Sequence, residues 1–100
     1  MHINDLLKVA SERKASDLHL KVGSHPVIRV AGELVPLVEM KGLMQEDTIA
    51  MAFSIMSNRQ KQKFKDDLEI DIAYSVPGLG CFRANVFQQR GTVGLVLRVI

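Results

Sequence analysis

Cysteine is nearly absent from this chain, and the one cysteine, Cys81, cannot form an internal disulfide. No pairing of Cys with Cys or His has a spacing that suits zinc, so no structural zinc site is expected. The N-terminal residues include Asn4 and Asp5 where a signal peptide needs an apolar run, and no apolar stretch approaches the roughly 18 residues that span a bilayer. These absences predict a protein of the reducing cytoplasm that does not insert directly into a membrane.

An excess of one charge sign is also lacking. Basic and acidic residues are mixed along the chain and leave a formal net charge of +2, far from the dense basic stripe of nucleic-acid-binding proteins, so nucleic acid is not an expected partner. The 100 residues, 47% hydrophobic and 24% charged, have the size and composition of one globular domain. Because the chain stops on "LRVI", within an apolar strand pattern, we expect residues 1–100 to be a single domain cut off before a further one.

The first half of the chain changes from helical to strand periodicity. Helical spacing of four apolar residues predicts a helix that ends near Lys14, with Asn4 and Asp5 available to cap its start. The four residues are Ile3, Leu6, Leu7 and Ala10. The stretch "SDLHLKV" alternates apolar and polar residues and predicts a half-buried strand. Its apolar residues are Leu18, Leu20 and Val22. The stretch "VIRVAGELVPLV" predicts two further short strands joined around residues 31–33.

Two helices are predicted next. An apolar stripe behind an acidic first turn indicates a helix within "MQEDTIAMAFSIMS". The stripe consists of Ile49, Ala52, Phe53 and Met56. A third helix is predicted over "SNRQKQKFKDDL", because Ser57 and Gln60 have the spacing of a capping box, with Phe64 and Leu68 as its apolar contacts. Its lysines predict a solvated face. They are Lys61, Lys63 and Lys65.

The last part of the chain alternates again. The stretch "LEIDIAYSV" predicts a strand, residues 77–80 predict a turn, and the remaining residues predict a hairpin. Short loops between successive strands favour antiparallel neighbours, and the helices are segregated from the strands. The predicted fold class is therefore α+β, a mostly antiparallel sheet of about six strands with three helices packed on it.

Most polar groups that could carry chemistry lack a partner in the sequence. Asp17 and His19 share a strand face without a third metal ligand nearby, so hydrogen-bonded surface or interface roles are favoured over a metal or acid–base site. Four carboxylates could suggest an acid–base pair, namely Asp66, Asp67, Glu69 and Asp71. Glu69 and Asp71 alternate with apolar residues, which is typical of a solvated strand face, and no nucleophile accompanies them. The stretch Gly78-Leu79-Gly80 leads into a strand, and no G-x-x-x-x-G-K-[ST] occurs, so no phosphate loop is predicted. Cys81 is interpreted as a small, half-buried residue rather than a reactive thiol.

The hairpin contains an unfavourable pairing. If Arg90-Gly91 forms a two-residue tip, Arg83 lies directly opposite Arg98, and facing like charges destabilise a strand pair. On this register one face is apolar and belongs to the core. It comprises Phe82, Ala84, Val86, Val93, Leu95, Leu97 and Val99. Two explanations for the arginines remain open. In the first, a carboxylate such as Glu69 or Asp71 on a neighbouring strand neutralises the arginines. In the second, the arginines bind an anion from outside the chain, since guanidinium groups bind carboxylate and phosphate in bidentate fashion.

Two stretches, "ASDLHLKVGSHPVIRVAGELVPL" and "DIAYSVPGLGCFRANVFQQRGTVGLVLRVI", resemble the N-terminal domain of the PilT-type twitching-motility ATPases. These are the retraction motors of type IV pili within the secretion-ATPase superfamily, and the similarity covers essentially the whole chain. The resemblance implies a PAS-like domain that precedes a RecA-like ATPase domain with the phosphate loop and the catalytic acidic residues. It implies a cytoplasmic motor, peripheral to the inner membrane, that uses ATP and Mg²⁺ at full length. The isolated domain would need no cofactor and would not be an enzyme.

The resemblance also implies partners and site residues. The N-terminal domain of one subunit would pack on the ATPase domain of its neighbour in a homo-hexamer that works with the pilus machinery of the inner membrane. By position in the matching motif, Arg83, Arg90 and Arg98 would contact the phosphates of the neighbour's nucleotide, and the chain would hold no catalytic residue. Residues 80–83 read "GCFR" where the family has "GRFR", so one positive charge is absent.

Two other classes compete with this reading. The chain could be a stand-alone PAS-like sensor or protein-interaction module that binds a small anionic ligand. It could also be a small enzyme that uses Asp17 and His19, in which case a cleft is expected around the first strand.

Overall fold

The computed structural model describes residues 2–100 and contains three helices and six strands. In chain order they are α1 (Ile3–Glu12), β1 (Asp17–Leu20), β2 (Val27–Val30), β3 (Glu33–Pro36), α2 (Gln45–Ser54), α3 (Asn58–Asp67), β4 (Glu69–Val76), β5 (Gly80–Gln89) and β6 (Thr92–Val99). This order confirms the predicted α+β class. No helix within residues 2–100 combines the length and the apolar character needed to cross a membrane.

All six strands form one antiparallel sheet in the order β3-β2-β1-β6-β5-β4. The central pair joins the first and last strands, with Leu18 of β1 opposite Leu97 of β6. Because side chains alternate across a strand, one face of the sheet is apolar and packs under the helices. The other face, here called the open face, is not covered by any of the helices within residues 2–100. It carries Asp17, His19, Val27, Arg29, Glu69, Asp71, Arg83, Asn85, Phe87, Val96 and Arg98.

Helix α1 buries the predicted apolar stripe but has a different cap. The buried residues are Ile3, Leu6, Leu7 and Ala10. His2 is the N-cap, and its Nδ1 atom accepts a hydrogen bond from the Asn4 backbone N–H at 3.0 Å. The prediction that Asn4 or Asp5 caps the helix is wrong. Both lie inside the helix, and the side-chain Oδ1 atom of Asn4 accepts from the Tyr74 hydroxyl at 2.7 Å. The helix ends at Glu12, shortly before Lys14, whose left-handed φ of 57° cannot continue it.

Helix α2 buries a stripe that is shifted from the predicted one. Its buried residues are Thr48, Met51 and Ala52, whereas Ile49 and Phe53 are half-buried on the flank. Met56 is buried but follows the end of the helix. The Thr48 hydroxyl donates to the Gln45 carbonyl oxygen at 3.2 Å. Because this hydrogen bond satisfies the hydroxyl, a polar residue can occupy the centre of the buried helix face. The spacing of apolar residues in the sequence could not predict that Thr48 is buried.

Helix α3 has the predicted capping box. The Ser57 hydroxyl accepts from the Gln60 backbone N–H at 3.2 Å, and the Ser57 backbone N–H donates to Gln60 Oε1 at 2.9 Å. Phe64 is buried as predicted, but Leu68 is 48% exposed. Leu68 ends the helix in a left-handed conformation with φ 61°. Of the three lysines, Lys63 and Lys65 are exposed and Lys61 is half-buried. The Lys61 ammonium lies 5.7 Å from the centre of the Phe53 ring.

The β5–β6 hairpin has the predicted register. Gln89 pairs with Thr92 beside the tip, and Arg83 pairs with Arg98. Arg90 and Gly91 have φ values of 53° and 79°, as a two-residue hairpin turn requires. The predicted core face is buried except at its end, where Val99 is 51% exposed. The first predicted strand is shorter than expected, because β1 ends at Leu20 and leaves Val22 half-buried in the following turn.

Candidate functional site

Four charged residues form a row across the open face. The strand pairings place Arg29 of β2 opposite Asp17 of β1, Asp17 opposite Arg98 of β6, and Arg98 opposite Arg83 of β5. One row further along the strands, Asn85 lies between Val96 on β6 and Asp71 on β4. The row is therefore rich in positive charge, with three guanidinium groups and one carboxylate.

The facing arginines have no ion-pair partner within residues 2–100. The ion pairs of the described chain join other side chains. Arg83 and Arg98 are both exposed. They line a shallow depression of about 270 Å³ together with Asp71, Asn85 and Val96. Two guanidinium groups and one carboxylate leave this depression with a net positive charge, so it can hold an anion.

The two carboxylates that were candidates to neutralise the arginines bind Asn85 instead. Asn85 Nδ2 donates to Glu69 Oε1 at 3.2 Å and to Asp71 Oδ1 at 3.1 Å. Neither carboxylate comes within ion-pair distance of Arg83 or Arg98. Direct neutralisation by Glu69 or Asp71 is therefore not what the structure shows, although Asp71 lines the same depression.

Asp17 is the carboxylate that sequence reasoning missed as a neighbour of the arginines. It accepts from Arg29 Nε at 3.4 Å and from His19 Nε2 at 3.3 Å. Burial raises the pKa of Asp17, but hydrogen bonds from Ser16, His19 and Arg29 and the charge of His19 outweigh burial, and the pKa is lowered overall. The β1–β6 pairing that places Asp17 beside Arg98 joins residues far apart in sequence, so no local pattern indicated it.

The Asp17–His19 pair does form, but as part of this ion cluster. Within residues 2–100, no three side chains of the metal-binding types converge on a common point. Cys81 is exposed rather than half-buried, and its sulfur accepts from the Ser75 hydroxyl at 3.3 Å. Residues Pro77–Leu79 form the predicted turn.

Arg90 lies at the opposite end of the hairpin from the arginine pair. It follows Arg83 by seven positions, a path of about 23 Å at the usual strand rise. At the tip it lines a separate depression with Lys21, Gln89 and Thr92. The structure thus brings Arg83 and Arg98 together and keeps Arg90 apart, so the three cannot hold one phosphate group between them.

Comparison with known proteins gives consistent matches over the whole chain, although no protein-family model matches it. The chain is 38% identical over 100 residues to the type IV pilus retraction ATPase PilT of Pseudomonas aeruginosa, and 34% identical to the type IV pilus ATPase PilU of the same organism. These alignments cover 100% of the chain but 29% and 26% of the relatives. The chain thus spans less than a third of the length of these curated relatives.

Structural comparison agrees. The crystal structure of the pilus retraction motor PilT with bound ADP superposes with a TM-score of 0.93 at 40% identity, over 100% of this chain and 29% of that one. The Legionella pneumophila ATPase DotB superposes with a TM-score of 0.80 at 21% identity, over 98% of this chain and 28% of that one, which shows a shared fold.

The sheet, its open face and its helix layer define the class of α+β domain that PilT and DotB share. Within that class, the chain is a homologue of the N-terminal part of PilT-type pilus retraction ATPases.

Proposed function

We propose that residues 1–100 form the single PAS-like N-terminal domain of a type IV pilus retraction ATPase, and that a RecA-like ATPase domain follows it in the complete protein. The observation that carries the proposal is the match to PilT over 100% of the chain at a TM-score of 0.93. The chain by itself would not hydrolyse ATP. Phosphoryl transfer needs a phosphate loop and metal-binding acidic residues, which this domain would leave to the second one.

In this proposal the complete protein is a homo-hexamer in the cytoplasm, at the inner membrane, and drives twitching motility with ATP and Mg²⁺. The domain packs on the ATPase domain of the neighbouring subunit. Its open face supports such a role, because Arg83 and Arg98 are exposed there and form no ion pair within residues 2–100. Relative rotation of the two domains would then couple the nucleotide state to movement.

The arginine pair would be the main contact with nucleotide phosphate. Holding two exposed guanidinium groups opposite each other costs stability in the isolated domain. A phosphate group between them would remove that cost, since it binds guanidinium groups in bidentate fashion. Arg90 would act at a second position, at the hairpin tip. Arginines supplied to a neighbour's active site can raise the rate of phosphoryl transfer by about 10³–10⁵.

The first test is ATP turnover by the full-length protein. We expect Arg83→Ala, Arg98→Ala and Arg90→Ala each to lower turnover at least about tenfold, which is about 1.4 kcal/mol of transition-state stabilisation. Arg59→Ala, on the exposed surface of α3, is the matched control and should leave turnover unchanged. Size-exclusion chromatography should show the same oligomer for every variant.

Other outcomes would point elsewhere. Wild-type turnover in Arg83→Ala and Arg98→Ala would contradict the phosphate role of the pair. The depression would then be a candidate site for a different small anionic ligand. The second candidate, a stand-alone PAS-like module that binds such a ligand, requires instead that no ATPase domain follows residue 100. Sequencing the gene beyond codon 100 gives an independent check, because G-x-x-x-x-G-K-[ST] should occur within about 200 codons, the length of one to two domains.

A further inference from the structure

The tip of the β5–β6 hairpin is held by one side chain from a distant element. Gln45, the first residue of α2, donates from Nε2 to the Gly91 carbonyl oxygen at 2.8 Å. Its Oε1 atom accepts from the Val93 backbone N–H at 3.4 Å. One amide group therefore bonds to the backbone on both sides of Thr92. These two contacts span 46 and 48 positions of sequence.

The tip needs support because its backbone is unfavourable. Arg90 has a φ of 53°, a left-handed conformation that is disfavoured for a residue with a Cβ atom. Within the hairpin, the Thr92 hydroxyl donates to the Gln89 carbonyl oxygen at 2.9 Å, which leaves Arg90 itself at the free end. The left-handed backbone of Arg90 costs free energy, so contacts from outside the hairpin favour this turn conformation over others.

The element that supplies Gln45 is itself firmly anchored. Asp47 accepts from the Met44 backbone N–H at 2.8 Å and pairs with the Lys41 ammonium at 3.0 Å. The preceding Leu43 is 2% exposed, and the following Thr48 is fully buried. Gln45 thus adds a second restraint, from a fixed helix start, to a hairpin tip that is otherwise held by the Gln89–Thr92 pair.

We propose that Gln45 is a positioning residue for Arg90: it fixes the hairpin tip so that the guanidinium group is directed at one point. The inference rests on the proposed function, in which Arg90 contacts the phosphate of the neighbour's nucleotide. If the tip is already ordered before the reaction, no entropy is lost in orienting the Arg90 guanidinium group in the transition state. Loss of Gln45 therefore lowers the rate of ATP turnover because Arg90 is less well positioned.

The test is a double-mutant cycle on ATP turnover in the full-length protein. Gln45→Met keeps the length of the side chain and removes both hydrogen bonds. We expect Gln45→Met to lower kcat about threefold or more in the wild-type background and to have no further effect in the Arg90→Ala background. Gln62→Met is the matched control, since Gln62 makes one exposed hydrogen bond within α3, to Asp66 at 3.1 Å. It should be silent in both backgrounds.

A second readout does not depend on ATP. Amide hydrogen exchange at Val93 should accelerate in Gln45→Met and remain unchanged in Gln62→Met. Unchanged exchange at Val93 would overturn the inference, and so would an equal loss of turnover in both backgrounds, which indicates a general structural role. Wild-type turnover in Arg90→Ala would overturn the phosphate role of Arg90 and this inference with it. Faster amide exchange at Val93 in Gln45→Met would then show that Gln45 orders the hairpin tip but does not contribute to ATP turnover.

Discussion

Asp17 combines burial with charge in a way that makes its contribution to stability measurable. Asp17 lies on the open face but is only 8% exposed. The side chains of Arg29 and His19 both contact its carboxylate. Its pKa is lowered below the ordinary value of 3.8, since hydrogen bonds and charge outweigh the effect of burial. A carboxyl group whose pKa is lower in the folded state stabilises the fold when it is ionised.

We expect Asp17→Asn to lower the free energy of unfolding by about 1–2 kcal/mol at neutral pH, because the variant replaces the charged acceptor of the hydrogen bonds from His19 and Arg29. The stabilisation by Asp17 is complete above the unfolded-state pKa and is lost as the pH falls through the folded-state pKa. The difference between wild type and variant should therefore shrink below about pH 5 and vanish in strong acid. Urea unfolding from pH 7 to pH 2.5 measures it.

Asp67→Asn is the control for this experiment. Asp67 is exposed and pairs with Lys63 within α3 at 3.0 Å, an arrangement worth at most about 0.5 kcal/mol. A cost for Asp67→Asn equal to that of Asp17→Asn would mean that net charge, and not the buried cluster, determines the effect.

At the scale of single elements, α3 depends on its capping box more than the other helices do on their caps. Its sequence is strongly polar and buries only Phe64, so packing stabilises it little. We expect Ser57→Ala to lower the free energy of unfolding by about 1 kcal/mol, since two backbone N–H groups at the helix start depend on this box. Urea unfolding followed by circular dichroism provides the measurement.

Ser11→Ala is the matched control for the cap, because Ser11 is exposed within α1 and alanine has the higher helix propensity. It should be neutral or slightly stabilising. If Ser57→Ala is equally neutral, then the capping box does not limit the stability of α3, and its other contacts, such as the burial of Phe64 and the cation–π contact of Lys61, are sufficient.

The elements that sequence predicts well are those whose determinants are local. The capping box needs only Ser57 and Gln60, and the hairpin register follows from a two-residue tip at Arg90-Gly91. The facing arginines could be predicted for the same reason. Errors arose where the deciding partner is distant. Asn4 does not cap α1 because Tyr74, on β4, binds its side chain.

The candidate site shows the same division. Arg83 and Arg98 lie on one hairpin, so their pairing was accessible from sequence. Their neighbour Asp17 was not, because the pairing of β1 with β6 is set by burial of the whole sheet rather than by a turn. The contact of Gln45 with the hairpin tip could not be predicted for a related reason, since no pattern near Gln45 in the sequence indicates that its side chain reaches Gly91.

At the scale of the whole molecule, the sheet separates the two arginine positions. The arginine pair and Arg90 lie about 23 Å apart along the β5–β6 hairpin, so in the proposed ring one domain could contact two points of a neighbouring subunit. In the proposed hexamer, a domain that spans a subunit boundary in this way would supply its arginines in trans. This property would belong to the assembled ring, so its test needs full-length subunits that assemble.

Mixed rings test the property directly. One full-length variant carries Arg83→Ala with Arg98→Ala, and a second has the phosphate-loop lysine of its ATPase domain replaced. Each should be nearly inactive alone. If the arginines act on the neighbour, co-expression in equal amounts should restore about one quarter of wild-type turnover, because random assembly places an intact loop beside intact arginines at that fraction of interfaces. A ring that mixes the first variant with a chain carrying all three replacements should stay inactive. No recovery in the first mixture would mean that the arginines act within their own subunit, and the packing proposed for the open face would then be wrong.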